Sequence, residues 1–312
     1  MKRLSSLKVI GLMVLVTLTV SFLLFFDFGK YHSRILDEIL NFGHLPLFGG
    51  ISLFVLWTLH HGKHQHPKNI WHYIAAGIIT SMLGFFTEYI QGFLPNRDFQ
   101  WGDILADTVG GAIFLVFAYP FPQYTKVRKV FRLAALMLTL VMLYPLARAS
   151  VDTWNRIHAF PNLGSFETSL EIDRWRNIES EISRAKAHTT EGTYSLEVLL
   201  LPGVYPGISL NDPTRDWRGY RSLAFEAYLE GSAPLSLVLR VNDRDHNNEY
   251  SDRFNRRILL NPGENRISVN LEDIMQAPRG RRMDMSSIVN VCLFSYRLSR
   301  TCTVYFDNFR LE

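Results

Sequence analysis

The sequence predicts a multi-domain chain: an α-helical transmembrane bundle of about five helices, followed by an all-β sandwich. Three observations carry this. Long apolar runs crowd the first 150 or so residues and then stop. Charge divides at nearly the same place: residues 1–164 hold 14 Lys+Arg against 8 Asp+Glu, and residues 165–312 hold 19 against 21. Past residue 165 the pattern becomes short alternating segments separated by turn residues, and no apolar run there reaches the roughly 20 residues that a bilayer crossing needs. The basic excess therefore belongs to the membrane half, where it reports orientation and gives no evidence of nucleic acid as a partner.

The apolar runs place helices at roughly 9–26, 39–59, 71–94, 103–122 and 130–149. Lys2, Arg3 and Lys8 precede the first, as in a signal peptide. Its apolar core is long, however, and Phe25, Phe26, Asp27 and Phe28 make a poor cleavage site, so it reads as a retained anchor. Lys63 and Lys68 fill the second connection, and Lys126, Arg128, Lys129 and Arg132 the fourth; the alternate connections hold only Lys30, Arg34 and Arg97. By the positive-inside rule the N-terminus is cytoplasmic. Five crossings then put everything after about residue 150 on the extracytoplasmic side of a cell (inner) membrane.

Segments 194–200, 222–228, 235–241, 265–271, 289–294 and 303–311 alternate like half-buried strands. Asn211, Asp212 and Pro213, Glu230 and Gly231, and Asn261, Pro262 and Gly263 mark turns between them. Many short strands at this spacing form a two-sheet sandwich, and residues 165–312 are enough to bury one core. Residues 151–164, with Trp154, Pro161 and Gly164, read as a linker. Both cysteines, Cys292 and Cys302, fall in the external half. There a disulfide is permitted, and the alternative is two buried thiols in neighbouring strands.

Ser165-Phe166-Glu167, Trp175, residues 192–198, Asp216-Trp217, Gly219-Tyr220, Asn242-Asp243 and the closing Tyr305-Phe306-Asp307-Asn308 resemble the galactose-binding-like jelly rolls, a fold that includes many carbohydrate-binding modules. The resemblance spans nearly the whole external half and implies glycan binding. It also implies a structural Ca²⁺ held by Glu167 near the first strand and Asp307 on the last, carboxylates being suited to that ion; the alternative is that Asp307 caps the last strand. Sugars require aromatic faces and planar polar groups. Trp217, Tyr220, Arg240, Asn242, Asp243, His246, Tyr250 and Arg253 are suitable types in the right region, with core packing as the competing role for Trp217 and Tyr220. The loop 243–249 is either solvated or ligand-bearing.

The membrane half carries a polar cluster. Glu88 and Gln91 share one face near the outer end of the third helix, Asp103 and Asp107 share one face at the start of the fourth, and His44 lies near the outer end of the second. With Arg97 between them, all six converge on the outer leaflet. Gly102, Ala106 and Gly110 repeat every fourth residue, a pattern that lets helices approach closely. Asn41 to His44, Glu88 to Gln91, Pro95 to Arg97 and Asp103 to Gly110 resemble the VanZ-like membrane family over roughly residues 8–122, except that Asp107 stands where the family more often has Asn. That resemblance points to the cell envelope and to antibiotic tolerance without naming a reaction.

Two roles are open for the cluster. One is an ion-pair network locking the helices, with Arg97 to Asp103 or Asp107 and His44 to Glu88. The other is a headgroup site, in which Arg97 holds phosphate or carboxylate and Glu88 and His44 exchange protons with a lipid-linked substrate. His60, His61, His64 and His66 lack a carboxylate or Cys to complete a metal shell and read as a solvated loop. No Gly-rich phosphate loop, nucleophile elbow or zinc-protease motif is present. The expected partners are membrane lipid, an envelope glycan or lipid-linked glycan, and an envelope synthesis or export complex.

Overall fold

The computed structural model describes residues 33–60, 69–94, 99–122 and 125–312. The expected first helix (9–26), Arg97 and the connection at 61–68 lie outside the described residues. The chain divides into two units, Met1–Ala149 and Ser150–Glu312.

The first unit is helical: α1 (Arg34–His60), α2 (Ile70–Gln91), α3 (Trp101–Ala118) and α4 (Lys126–Ala159). All four are long and apolar enough to cross a membrane. Asn69 caps α2, its side chain accepting from the Trp71 amide at 3.1 Å. Glycine sets how closely α1 and α3 approach. A methyl group at Gly110 would sit 2.6 Å from the Leu45 carbonyl oxygen, and one at Gly49 would enter the Phe114 ring. The Ser52 hydroxyl lies between the two helices, 2.7 Å from the Gly49 carbonyl and 3.2 Å from that of Gly111. Of the expected small-residue stripe, Ala106 and Gly110 are buried, while Gly102 is exposed and a methyl group there would meet open space.

Helix α4 differs from expectation. Its 34 residues rise about 51 Å at 1.5 Å each, well beyond a hydrocarbon core of about 30 Å. The first part of the expected linker is thus its last turns, since residues 150–159 contain no Gly or Pro to stop a helix. The remainder is no free linker either. Asn162–Gly164 forms strand β1.

The second unit is a sandwich of two antiparallel sheets. One contains β3 (Ser180–Ala185), β4 (Ser195–Leu200), β11 (Cys302–Leu311), β6 (Ser222–Leu229) and β9 (Gly263–Asn270) in that order, with β1 added against β11. The other runs β2 (Trp175–Ile178), β5 (Gly207–Asn211), β10 (Ile288–Ser295), β7 (Leu235–Asp243) and β8 (Phe254–Leu260). Alternate residues of both sheets point into one core, where Phe225 stacks on Phe309 at 4.7 Å and Trp175 lies 4.8 Å from the same ring. The short helix α5 (Leu271–Met275) contributes Leu271 and Ile274.

Both cysteines are free. They lie in different sheets, Cys292 in β10 and Cys302 at the start of β11, and so not in neighbouring strands. Burial pushes the Cys292 thiol up to about 11.

Two ion pairs tie the last turns of α4 to the sandwich. Arg174 donates through Nε and Nη2 to the Asp152 carboxylate at 3.0 and 2.8 Å, and both side chains are 5% exposed. One turn later Arg156 donates to the Asp212 carboxylate at 3.0 Å and to the Asp212 carbonyl. Breaking a buried pair from one side strands a charge, while replacing both partners does not. Arg174→Met is therefore expected to cost about 3–5 kcal/mol, and Arg174→Met with Asp152→Leu to recover most of it. Thermal unfolding of the full chain measures this; equal losses in the two variants would remove the stranded charge as the cause.

Candidate functional site

The membrane cluster is assembled by helix packing. The backbone contact of Gly110 with Leu45 fixes the register of α3 on α1, placing His44, the residue before Leu45, opposite Asp107. The His44 Nδ1 to Asp107 Oδ1 distance is 2.8 Å, and His44 Nε2 lies 4.0 Å from Asp103 Oδ2. The second Asp107 oxygen is buried without a hydrogen-bond partner. It faces Gly84 of α2, where a methyl group would approach it to 2.8 Å. Glu88 and Gln91 are buried on α2, and Glu88 Oε2 accepts from the Gln100 amide at 3.2 Å.

The expected pairing of His44 with Glu88 is thus corrected. His44 pairs with Asp107, because α1 packs on α3 there, and Glu88 receives the backbone at the entry to α3. Arg97 lies outside the described residues. Of the rest of the cluster, His44 pairs with Asp107 near Asp103, while Glu88 and Gln91 are buried on α2.

The sandwich presents a second polar surface. Because Ile208 and Leu210 of β5, Leu237, Leu239 and Val241 of β7, and Val291 and Leu293 of β10 point into the core, the residues between them face out. Register lines these up in rows. Asn211, Asn290 and Asn242 form one row, and Ser209, Cys292, Arg240 and Asn255 the next; Asn242, Ser209 and Cys292 are covered, while Asn211 is exposed and Asn290, Arg240 and Asn255 are half-buried. Asn290 Nδ2 donates to Ser209 Oγ at 2.6 Å and to Asn211 Oδ1 at 2.9 Å. Beside these rows Phe294 lies under Tyr205 at 5.7 Å, and Tyr205 tilts against Tyr296 at 5.5 Å. Tyr205, Tyr296 and Tyr250 are all exposed. Planar amides flanked by exposed rings suit hydroxyl-rich ligands with apolar C–H faces.

Several residues chosen from the sequence have other duties. Trp217 is 1% exposed, fills the core and donates from Nε1 to the Thr214 carbonyl at 2.7 Å. Tyr220 is half-buried edge-on to Phe160. Asp243 is fully buried. Arg281 donates to it from Nη1 and Nη2 at 2.6 and 2.8 Å, and the Asp284 amide donates at 2.7 Å. His246 Nδ1 lies 2.9 Å from the Asp252 carbonyl. Hydrogen bonding from Arg281 holds the Asp252 carboxyl below its usual range. The 243–252 loop is braced from within by Asp243, His246, Asp252 and Arg281.

Arg240, Asn242, Tyr250 and Arg253 do meet at the outward face. The sequence reading passed over Ser209, Asn211, Asn290, Tyr205 and Tyr296. The alternation at 289–294 marks Asn290, Cys292 and Phe294 as one face, a signal that was present but could not say which face was outside.

The expected calcium pair performs a different task as it stands. Glu167 Oε1 accepts from the amides of Thr193 and Tyr194 at 2.7 and 2.9 Å. Asp307 Oδ2 accepts from the amides of Thr190 and Glu191 and from the Thr190 hydroxyl, at 2.7, 3.1 and 2.9 Å. The two carboxylates clasp the 190–194 turn from both sides. Gly192, at φ +71°, permits the turn. Among the described residues no three His, Cys, Asp or Glu side chains gather in a way that could hold a metal ion.

No family model and no curated protein sequence matches the chain, so the VanZ-like resemblance rests on its motifs. Solved structures resemble its β-sandwich half. An exo-β-agarase matches at 17% identity over 48% of this chain and 24% of that one, with a TM-score of 0.41. A family 11 carbohydrate-binding module from Clostridium thermocellum, in complex with a β-1,3-1,4-mixed-linked tetrasaccharide, matches at 15% identity over 48% and 93%, with a TM-score of 0.39. The CBM22-1 and GH10 modules of xylanase 10B from the same organism match at 15% identity over 48% and 28%, with a TM-score of 0.35. The chain thus spans about a quarter of the agarase it matches.

The carboxylate clasp makes a prediction. Adding Ca²⁺ or EDTA is expected to move the unfolding temperature of the full chain by no more than about 1 °C, because the 190–194 turn already donates to both carboxylates. Glu167→Gln and Asp307→Asn should each lower it by several times that amount. A stabilisation of many degrees on Ca²⁺ addition, lost in both variants, would assign these carboxylates to a cation instead.

Proposed function

We propose that this chain is a multi-pass membrane protein of the cell envelope that binds glycan or lipid-linked glycan through the outward face of its five-stranded sheet. The observation that carries this reading is the register of that face. Two rows of amide, hydroxyl and guanidinium groups run across four strands, with exposed Tyr205, Tyr296 and Tyr250 at their margins. Exposed rings bounding planar hydrogen-bonding groups supply both recognition elements that a saccharide needs. Basic residues before the first helix and in alternate connections support a cytoplasmic N-terminus and an extracytoplasmic sandwich. The apolar surfaces of the helices support contact with membrane lipid, and the VanZ-like motifs support a place beside envelope synthesis or export machinery.

The test is the full chain in neutral detergent on a glycan array. Binding to at least one extended saccharide is expected, weakened about tenfold by Tyr296→Ala and by Asn290→Ala with folding unchanged. Absence of any saccharide signal from a folded sample would remove the glycan reading.

A second reading is favoured by the membrane cluster. A half-buried His44 on a buried Asp107, with Glu88 buried on the neighbouring helix, is suited to moving a proton at a headgroup, so the chain would be an enzyme acting on a lipid-linked phosphate or sugar. Glu88→Gln and His44→Ala are then expected to abolish the envelope phenotype at normal protein levels. Full phenotype in both variants would leave the cluster as a helix lock.

A further inference from the structure

The outward face of the five-stranded sheet carries an unbalanced charge. Its outward strand positions include Arg176 on β2, Arg240 on β7 and Arg257 on β8, and none of the five strands places Asp or Glu there. Elsewhere in the sandwich, several arginines do meet carboxylates. Arg174 pairs with Asp152, Arg218 with Asp216, Arg281 with Asp243 and Asp252, and Arg310 with Glu226.

Arg240 and Arg253 do not. Neither forms an ion pair among the described residues. The guanidinium of Arg240 lies 4.8 Å from the centre of the Phe294 ring, and that of Arg253 lies 5.4 Å from the centre of the Tyr250 ring. The Nε atoms of both are buried with no hydrogen-bond partner, and so is Oδ1 of Asn255, which lies across from Arg240 in the sheet. A buried charged donor without a partner is destabilising unless something completes it. Burial and then the like charge of Arg240 push the Arg253 pKa down, as expected of two guanidiniums sharing a site with no anion.

The same imbalance continues along the face. A cavity of about 360 Å³ is lined by Val238, Arg257, Tyr296, Arg297 and Arg300 among others, and its lining contains no carboxylate. The choice of cation points the same way: of the 19 basic residues after position 164, 18 are Arg and one is Lys186. Guanidinium differs from ammonium in offering a planar fork to carboxylate and sulfate oxygens, and an aromatic ring beneath can hold that fork flat.

We infer that the glycan bound on this face is acidic, with carboxylate or sulfate groups received by Arg240 and Arg253 and a further charged sugar entering the cavity formed by Arg257, Arg297 and Arg300. This rests on the glycan reading above and specifies its ligand. Tyr250 and Phe294 then do two things at once, orienting the guanidiniums and offering ring surface to the sugar. The bound anions neutralise two guanidiniums that form no ion pair among the described residues.

The test uses the full chain in phosphatidylcholine nanodiscs. Probes are immobilised polygalacturonate and its methyl ester, a sulfated galactan and its desulfated form, mixed-linkage β-glucan, and poly-glutamate. At least one acidic polysaccharide is expected to bind about tenfold or more tightly than its uncharged counterpart, and to lose affinity as salt rises. Arg240→Gln and Arg253→Gln should each remove most of that preference. The exposed pair Arg297→Gln with Arg300→Gln gives the same reading should a variant nearer the sheet fail to fold. Equal binding of charged and uncharged forms, or a preference untouched in folded variants, overturns the inference while leaving glycan binding in place. Equal binding of poly-glutamate also overturns it, since charge alone would then suffice. Binding of no polysaccharide, acidic or neutral, from a folded sample removes the glycan reading and the inference together.

Discussion

Burial of every second residue in β5, β7 and β10 is the constraint on which the outward face depends. Once Ile208, Leu239, Val241, Val291 and Leu293 enter the core, pleating leaves Ser209, Arg240, Asn242, Asn290 and Cys292 no choice of side. Hydrogen-bonded register then turns residues distant in sequence into rows. A slip of one position in any of these strands would carry its polar set inward and its leucines outward, so the core protects the face more firmly than any contact within the face could. The loop network around Asp243, Asp252 and Arg281 braces the end of β7 on the same terms, with a buried carboxylate satisfied from three directions.

The helical unit reaches a comparable result by different means. Water is not available between lipid-facing helices to drive association, so close backbone approach and polar contacts take over. Gly49, Gly84 and Gly110 provide the approach, and Ser52, His44 and Asp107 provide the polar contacts. The two devices are coupled. The absence of a side chain at Gly110 brings α1 near enough for His44 to reach Asp107, and the absence of one at Gly84 leaves room for the second Asp107 oxygen. The acidic residue at 107 therefore does not stand in isolation from its glycines.

The broad architecture was legible because it depends on local signals: apolar run length for the helices and alternation for the strands. What could not be read depends on partners brought from afar. Residues 151–159 have no composition that forbids a helix, yet nothing local says that Asp152 and Arg156 will find Arg174 and Asp212. Trp217 has the same appearance in sequence whether it carries a sugar or fills a core, and only its fully packed environment decides. Asn290 was hidden for the opposite reason. It sits in a strand of apolar neighbours, where a lone amide looks like an exception until Asn211 and Asn242 are seen on either side. Sequence places His44 and Glu88 in the same leaflet, but the contact of α1 with α3 gives His44 to Asp107.

The position of β11 has a consequence for how the chain is made. It lies between β4 and β6, with β1 also against it, so the centre of the larger sheet is synthesised after both of its flanks. Until Cys302–Leu311 leaves the ribosome, β4 and β6 have unpaired edges and Phe306 and Phe309 are missing from the core. The helices can enter the bilayer while the sandwich is still open, and the domain then closes late around its final strand. A truncation of ten residues from this end would remove no peripheral tail. It would take the keystone, leaving two half-sheets with exposed edges that are prone to find each other.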